Sequence, residues 1–249
     1  MRLAAAAWWL QFRLLSRSPF FIGMSLMTPL AYGAVVLLMS GGQVSVRTVL
    51  GAGLMGAWST TLFGAAEALF MQRFTGTLEL LIGAPRSLVA PVFGFASATV
   101  TLGVYSVAAV TVVAFTFAHV DTGGVDVLRL TVSLLAVLVS LTSMGVLLAG
   151  LYVITRHAME ITNVLEFPMW LACGVIVPST AIWAPISACG LLFPLGWAML
   201  AVDQATAGGN ALPVVAVAVC LSLLYAALGV ACLHRVDMLA RQRGTLRLR

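Results

Sequence analysis

Long uncharged stretches, each closed by arginine or an acid, alternate along this chain with short polar breaks. A bilayer hydrocarbon core is about 30 Å thick and takes roughly 20 residues of helix to cross. Regions of that length lie at 20–39, 48–70, 88–118, 129–155, 159–177 and 211–233, and they predict six membrane-spanning helices. The third is long enough to tilt or to include an interfacial turn at Pro91. The fifth opens onto 36 residues without a charge, Phe167 to Val202, interrupted by Pro168, Pro178, Pro185 and Pro194. Proline removes a backbone donor and breaks helix, so this stretch either crosses twice or crosses once and dips back.

The arginines choose between these two paths. With six crossings the termini share a side, and Arg2, Arg13, Arg17, Arg73, Arg86, Arg156, Arg235, Arg241, Arg243, Arg247 and Arg249 fall together, leaving Arg47 and Arg129 opposite. Eleven against two is the bias that marks a cytoplasmic side. A seventh crossing would carry the arginine-rich tail to the other face. The preferred reading is one fifth span, then re-entrant extracellular elements over 178–208, and a cytoplasmic tail at 234–249. Irregular backbone at that depth must be covered by protein or line a wet cavity. At the other end, 1–17 carries Trp8, Trp9 and Phe12 beside Arg13 and Arg17, which suits a helix lying in the cytoplasmic interface. The arginines interrupt any signal-peptide core, so this segment is expected to be retained.

Composition removes several classes of function. Only 8% of the 249 residues are charged and 61% are hydrophobic, whereas a soluble domain carries about 25% charged residues. Lysine is absent, which excludes a Walker A nucleotide site on this chain. Cys173, Cys189, Cys220 and Cys232 stand singly in apolar stretches without metal-ligand spacing and read as small buried hydrophobes. No metal site and no nucleic-acid partner is expected. An intramembrane serine protease or metalloprotease would need a nucleophile motif or H-E-x-x-H, and neither is present. A channel-like subunit would need a filter or charged ring, and a secondary carrier two related halves; no such pattern stands out.

Two polar features remain. Between the second and third regions, 73–87 reads R-F-T-G-T-L-E-L-L-I-G-A-P-R-S. Gly76 can cap a short helix with Glu79 at its third position, where a carboxylate favours the free amides. Leu78, Leu80, Leu81 and Ile82 make about one apolar turn, and Gly83 with Pro85 ends it. The product is a small apolar knob on the arginine-rich side, shaped to plug a groove on another protein. The second feature is a stripe on the fifth span. A helix starting near Arg156 puts Arg156, Glu160, Asn163 and Glu166 within an arc of about 120° and Glu166 roughly 15 Å deep. A carboxylate at midplane is costly and reads as functional, facing a pathway or a partner subunit.

The knob resembles the hallmark segment of the ABC-2 type permeases, the membrane subunits of one class of ATP-binding-cassette exporters, in Gly76, Thr77, Leu78, Glu79, Leu81 and Pro85. Gly174, Pro178, Pro185 and Pro194 resemble that family's last extracellular section, between spans five and six. Gln72 departs from the family's pattern, which often has an acid there. The resemblance implies an all-α membrane protein of six spans in a bacterial cytoplasmic membrane, without catalytic residues or a cofactor of its own. It implies docking of the knob on a separate ATPase subunit, present in two copies and holding ATP and magnesium. It also implies a second permease, identical or paralogous, and export of a hydrophobic or amphipathic drug, antibiotic or lipid-like cargo, with lipid or glycan export as the runner-up. Gly51, Gly53, Gly56 and Ala57, or Gly145 and Ala149, are small enough to let such a second copy pack closely, or equally to pack helices of this chain against one another.

Overall fold

The computed structural model describes residues 2–39, 43–74, 88–123, 125–154, 158–178 and 182–243. Helix α1 (Arg2–Arg17) is separated by Ser18 from α2 (Pro19–Met39), whose first residue is a proline, tolerated there because that N–H has no helical partner. A short strand β1 (Gln43–Ser45) leads into α3 (Val46–Phe74). Then come α4 (Val89–Phe117), β2 (His119–Asp121), α5 (Val127–Ile154), α6 (Ala158–Ala172), α7 (Ala184–Gly190), α8 (Pro194–Thr206) and α9 (Leu212–Arg243). Among the described residues α4, α5 and α9 are long and apolar enough to cross a membrane. The pair α7–α8, bent by 111°, makes a fourth if it is one span. The strands, which the hydrophobic pattern does not foretell, pair in parallel with Val44 opposite Val120 and tie the α2–α3 connection to the α4–α5 connection.

Small residues bring the helices together. A Cβ on Gly53 would lie 2.6 Å from Val107 Cα, and one on Gly103 2.7 Å from Ala57 Cα, so α3 and α4 meet backbone to backbone. Lipid tails are as apolar as leucine, so close packing of this kind drives helix association in a bilayer. A Cβ on Gly56 would fall 2.8 Å from Pro29 of α2 and from Ser106 of α4, and one on Gly51 2.5 Å from the Val175 carbonyl oxygen. Gly145 faces Thr61 and Ala96, and Ala149 is buried. Of the two uses open to these small residues, packing against the chain's own helices is the one seen here. Between α5 and α9, Ser140 and Ser222 hydroxyls are 3.0 Å apart, Gly229 abuts Leu147 and Gly150 abuts Cys232. Residue numbers rise together along this seam, so α5 and α9 run parallel. Trp58, Leu62, Val137, Leu141, Leu195 and Met199 fill the core between α3, α5 and α8.

Several helix ends differ from the sequence-based expectation, each for a local reason. α4 includes Pro91 in its first turn, where a missing N–H is tolerated, so no interfacial turn forms. α6 stops at Ala172, short of residue 177. There Gly174 adopts φ 71°, Val175 N donates to Trp170 O (2.9 Å) and Gly174 N to Leu171 O (3.1 Å). These two bonds are the Schellman arrangement, which needs a left-handed residue that glycine supplies without strain. α9 runs through the expected tail to Arg243, because no glycine or proline interrupts 214–243 except Gly229, which is packed mid-helix. The cysteines are not uniformly buried: Cys173 is, but Cys189 and Cys220 are exposed and Cys232 is intermediate.

Candidate functional site

The residues of the knob, Gly76, Thr77, Leu78, Glu79, Leu81 and Pro85, lie outside the described residues. The remaining candidates fall on α6 and on the elements that follow it.

Pro185 occupies the first turn of α7, and Pro194 opens α8. Pro178 is exposed just after the turn that ends α6. The three-residue break between α7 and α8 brings glycines into tight contact: a Cβ on Gly190 would fall 1.8 Å from Ala172 O, and one on Gly196 2.3 Å from Gly190 O. α8 then runs antiparallel to α5, with Ser140 Oγ donating to Pro194 O (3.4 Å) and Ser133 Oγ to Ala201 O (3.2 Å). Its 13 residues rise about 20 Å.

Just past the end of α6, two backbone carbonyls of the turn meet a buried charge. Arg47, in the first turn of α3 and only 7% exposed, donates through Nη1 to Val175 O (2.8 Å) and through Nη2 to Gly174 O. Its Nε pairs with Asp203 Oδ1 of α8 at 2.8 Å. One guanidinium thus neutralises the negative end of the α6 dipole, satisfies two carbonyls and holds a carboxylate. It clasps α3, α6 and α8 together. A second arginine works nearby in the same way, with Arg129 paired to Asp126 (3.0 Å) and donating to Gly209 O (2.8 Å), so that the start of α5 holds the α8–α9 turn. Sequence reading placed Arg47 and Arg129 on one side but did not pair them. The signal was present: Arg47 is the lone charge between Arg17 and Glu67, and Asp203 the lone acid between Glu166 and Asp237.

On α6 the expected polar stripe divides. Glu160 and Asn163 are exposed, and with Val164, Phe167 and Leu171 they form one open face. Glu166 turns inward and is half-buried, its Oε1 accepting a hydrogen bond of 2.6 Å from Ser59 Oγ of α3. Glu166 lies about 12 Å along the helix from Ala158, and Ser59 about 20 Å along α3 from Val46. The carboxylate is therefore far from both helix starts, inside the bundle. Trp58 and Trp170, its neighbours on the same two helices, are buried with indole N–H groups that have no acceptor among the described residues. Buried donors of this kind favour any acceptor that reaches them.

A separate cavity of about 270 Å³ opens between α2, α3 and α4, lined by Leu30, Ala34, Val49, Val110, Val113 and Phe117 among others. Its one polar lining side chain, Thr48, is already bonded to Ser45 Oγ at 2.9 Å. Such a cavity accepts apolar matter only.

A family model described as ABC-2 type transporter matches residues 2–206. No curated protein and no solved structure matches the chain.

Proposed function

Because the chain belongs to the ABC-2 type transporter family, we propose that it is the permease subunit of an exporter that moves a hydrophobic or amphipathic cargo out of the cell. Membership makes it a multi-pass membrane protein with a transport domain rather than a catalytic one, in a family that normally works with an ATP-binding-cassette ATPase. In this reading two copies of that ATPase bind and hydrolyse ATP with magnesium. The segment with Gly76, Thr77, Leu78, Glu79, Leu81 and Pro85 transmits the motion, and a second permease completes the pathway.

The parallel packing of α5 and α9 supports six crossings with both termini cytoplasmic. Between two parallel helices the chain crosses an odd number of times, which fits one crossing by α6 with α7–α8 returning to the side it left. The single observation that carries the transport reading is the polar edge of α6. This helix packs mainly against α3 and α7 and leaves open a face that includes Glu160 and Asn163. Glu160 and Asn163 lie within about 8 Å of the start of α6, so they edge this face at one end, where a wet cavity or another subunit accommodates them better than hydrocarbon does. Glu166, turned inward from that face and half-buried against Ser59, gives a cationic amphiphile entering the bundle its counter-charge, while the apolar remainder of α6 accepts its body.

The test replaces Glu166 with Gln, which keeps shape and the Ser59 contact but removes the charge. With the ATPase subunit co-expressed, efflux of a cationic amphiphile such as ethidium should fall about tenfold, equivalent to one lost interaction of about 1.4 kcal/mol. Assembly and basal ATP hydrolysis should persist. Unchanged efflux of both cationic and neutral amphiphiles would remove Glu166 from the pathway.

A further inference from the structure

Helix α1 and the first half of α4 lie side by side. A Cβ on Gly94 would fall 2.5 Å from Ala4 O, Trp8 Nε1 donates to Thr101 Oγ1 at 3.2 Å, and Phe12 stacks on Tyr105 with ring centroids 6.3 Å apart. Leu15 closes the contact against Leu102 and Phe21. These residues recur at helical spacing on one face of α1. The opposite face bears Trp9, Leu10, Arg13, Leu14 and Arg17, all exposed, with the two apolar leucines and the tryptophan 57–59% exposed.

At 100° per residue Arg13 and Arg17 fall between Trp9 on one side and Leu10 with Leu14 on the other, all within an arc of about 140°. Charge flanked on both sides by large exposed apolar groups suits neither water nor hydrocarbon alone. Leu10, Arg13, Leu14, Arg17 and Ser18 line an open surface recess of about 350 Å³. Among the described residues neither guanidinium has an ion-pair partner, since the pairs formed there are Arg47–Asp203 and Arg129–Asp126.

Depth agrees with the chemistry. α4 has 29 residues and is about 43 Å long, some 13 Å more than a hydrocarbon core. With its exposed Phe117 end at one boundary, the other boundary falls about 20 residues back, near Ala98. The contacts of α1 at Gly94 and Thr101 straddle that level, and Arg13 and Arg17, beside Phe12 and Leu15, lie level with Leu102 to Tyr105, roughly 6–10 Å inside it, a depth from which long arginine side chains reach back toward the phosphates.

We infer that Arg13 and Arg17 grip the phosphate of an anionic phospholipid, whose acyl chains lie along Trp9, Leu10 and Leu14. Two guanidiniums one turn apart offer paired N–H donors to the phosphate oxygens, and the net negative headgroup supplies the charge that this face lacks. The inference rests on membrane residence and not on the transport reading.

Purified full-length protein in detergent, titrated with phosphatidylglycerol or phosphatidylcholine and weighed intact by native mass spectrometry, tests it. The wild type should retain phosphatidylglycerol roughly 25-fold more tightly than phosphatidylcholine, and R13Q/R17Q should lose that preference, since each basic group near a membrane surface contributes about a factor of five. R235Q, which removes an exposed arginine of α9, should keep it. R13K/R17K preserves charge without the planar fork and should fall between, which guards against a folding defect in the glutamine pair. Equal retention of phosphatidylglycerol by the wild type and R13Q/R17Q would overturn the site. So would equal loss in R235Q, which would mean diffuse attraction, or full displacement by inorganic phosphate alone, which would mean a soluble-anion site.

Discussion

Arg47 is the residue whose removal should be felt most. Its guanidinium is buried against two carbonyls and Asp203, whose side chain is 14% exposed. Arg47→Met keeps the length of the side chain but strands the carboxylate and the end of α6. Breaking a buried pair by removing one partner costs about 3–5 kcal/mol, and for a chain of this size each kcal/mol shifts the midpoint by about 2–4 °C. Thermal unfolding followed by tryptophan fluorescence should therefore drop by about 10 °C, with a smaller loss in Asp203→Asn, which keeps an acceptor. Unchanged midpoints in both would mean that the clasp contributes nothing. The individual charges were legible from sequence, because a lone charge in a long apolar stretch must find a partner. Which partner was not legible, since it depends on α8 folding back beside α3 across 156 residues of chain. Glu166 shows the same limit. Its place on a polar stripe follows from helical spacing, but its turn away from Asn163 toward Ser59 depends on where α3 lies.

At the scale of elements, the apolar runs located α2 to α5 and the start of α9 to within a few residues, because charges and connections bound them, while α9 runs ten residues past its expected end. They did not locate the end of α6, where one glycine in a left-handed conformation decides, nor the β1–β2 pair, whose three-residue strands have no period of their own. The small residues on α3 were visible as a class, but their choice between self-packing and a second copy was not. The structure assigns them to the α3–α4 seam, and this can be tested against a control of the same chemistry. Gly103→Leu places a Cβ 2.7 Å from Ala57 Cα and 2.9 Å from its Cβ, so two backbones must separate. Overpacking of this kind costs about 1–3 kcal/mol. Gly23→Leu, on α2, meets nothing within 4 Å and should leave stability unchanged or slightly raised by helix propensity. Equal midpoints for the two variants would mean that the seam yields freely and that backbone contact does not hold α3 to α4.

Across the whole molecule, the path from α5 to α9 decides how many times the chain crosses. The arginine count argued for six crossings from charge alone; the α5–α9 seam, through contacts at 140 with 222, 147 with 229 and 150 with 232, requires an odd number of crossings between those two helices, as six crossings also do. The two arguments are independent, because none of those residues is charged. They make a joint forecast for cysteine accessibility in a background where Cys173, Cys189, Cys220 and Cys232 are replaced by alanine. Gly123 follows β2, and Gly209 follows α8, where Arg129 donates to the Gly209 carbonyl. That bond already holds the two turns on one side of the molecule. Cysteines at both positions should react with a membrane-impermeant maleimide in intact cells, and one at Arg243 only after permeabilisation. A seventh crossing reverses the assignments of 209 and 243 while leaving 123 outside. Labelling at 243 in intact cells together with protection at 209 would therefore overturn the re-entrant path of α7 and α8 and the cytoplasmic tail with it. Gly123 labelling would still identify the outer face, so this result could not be mistaken for a chain inserted upside down.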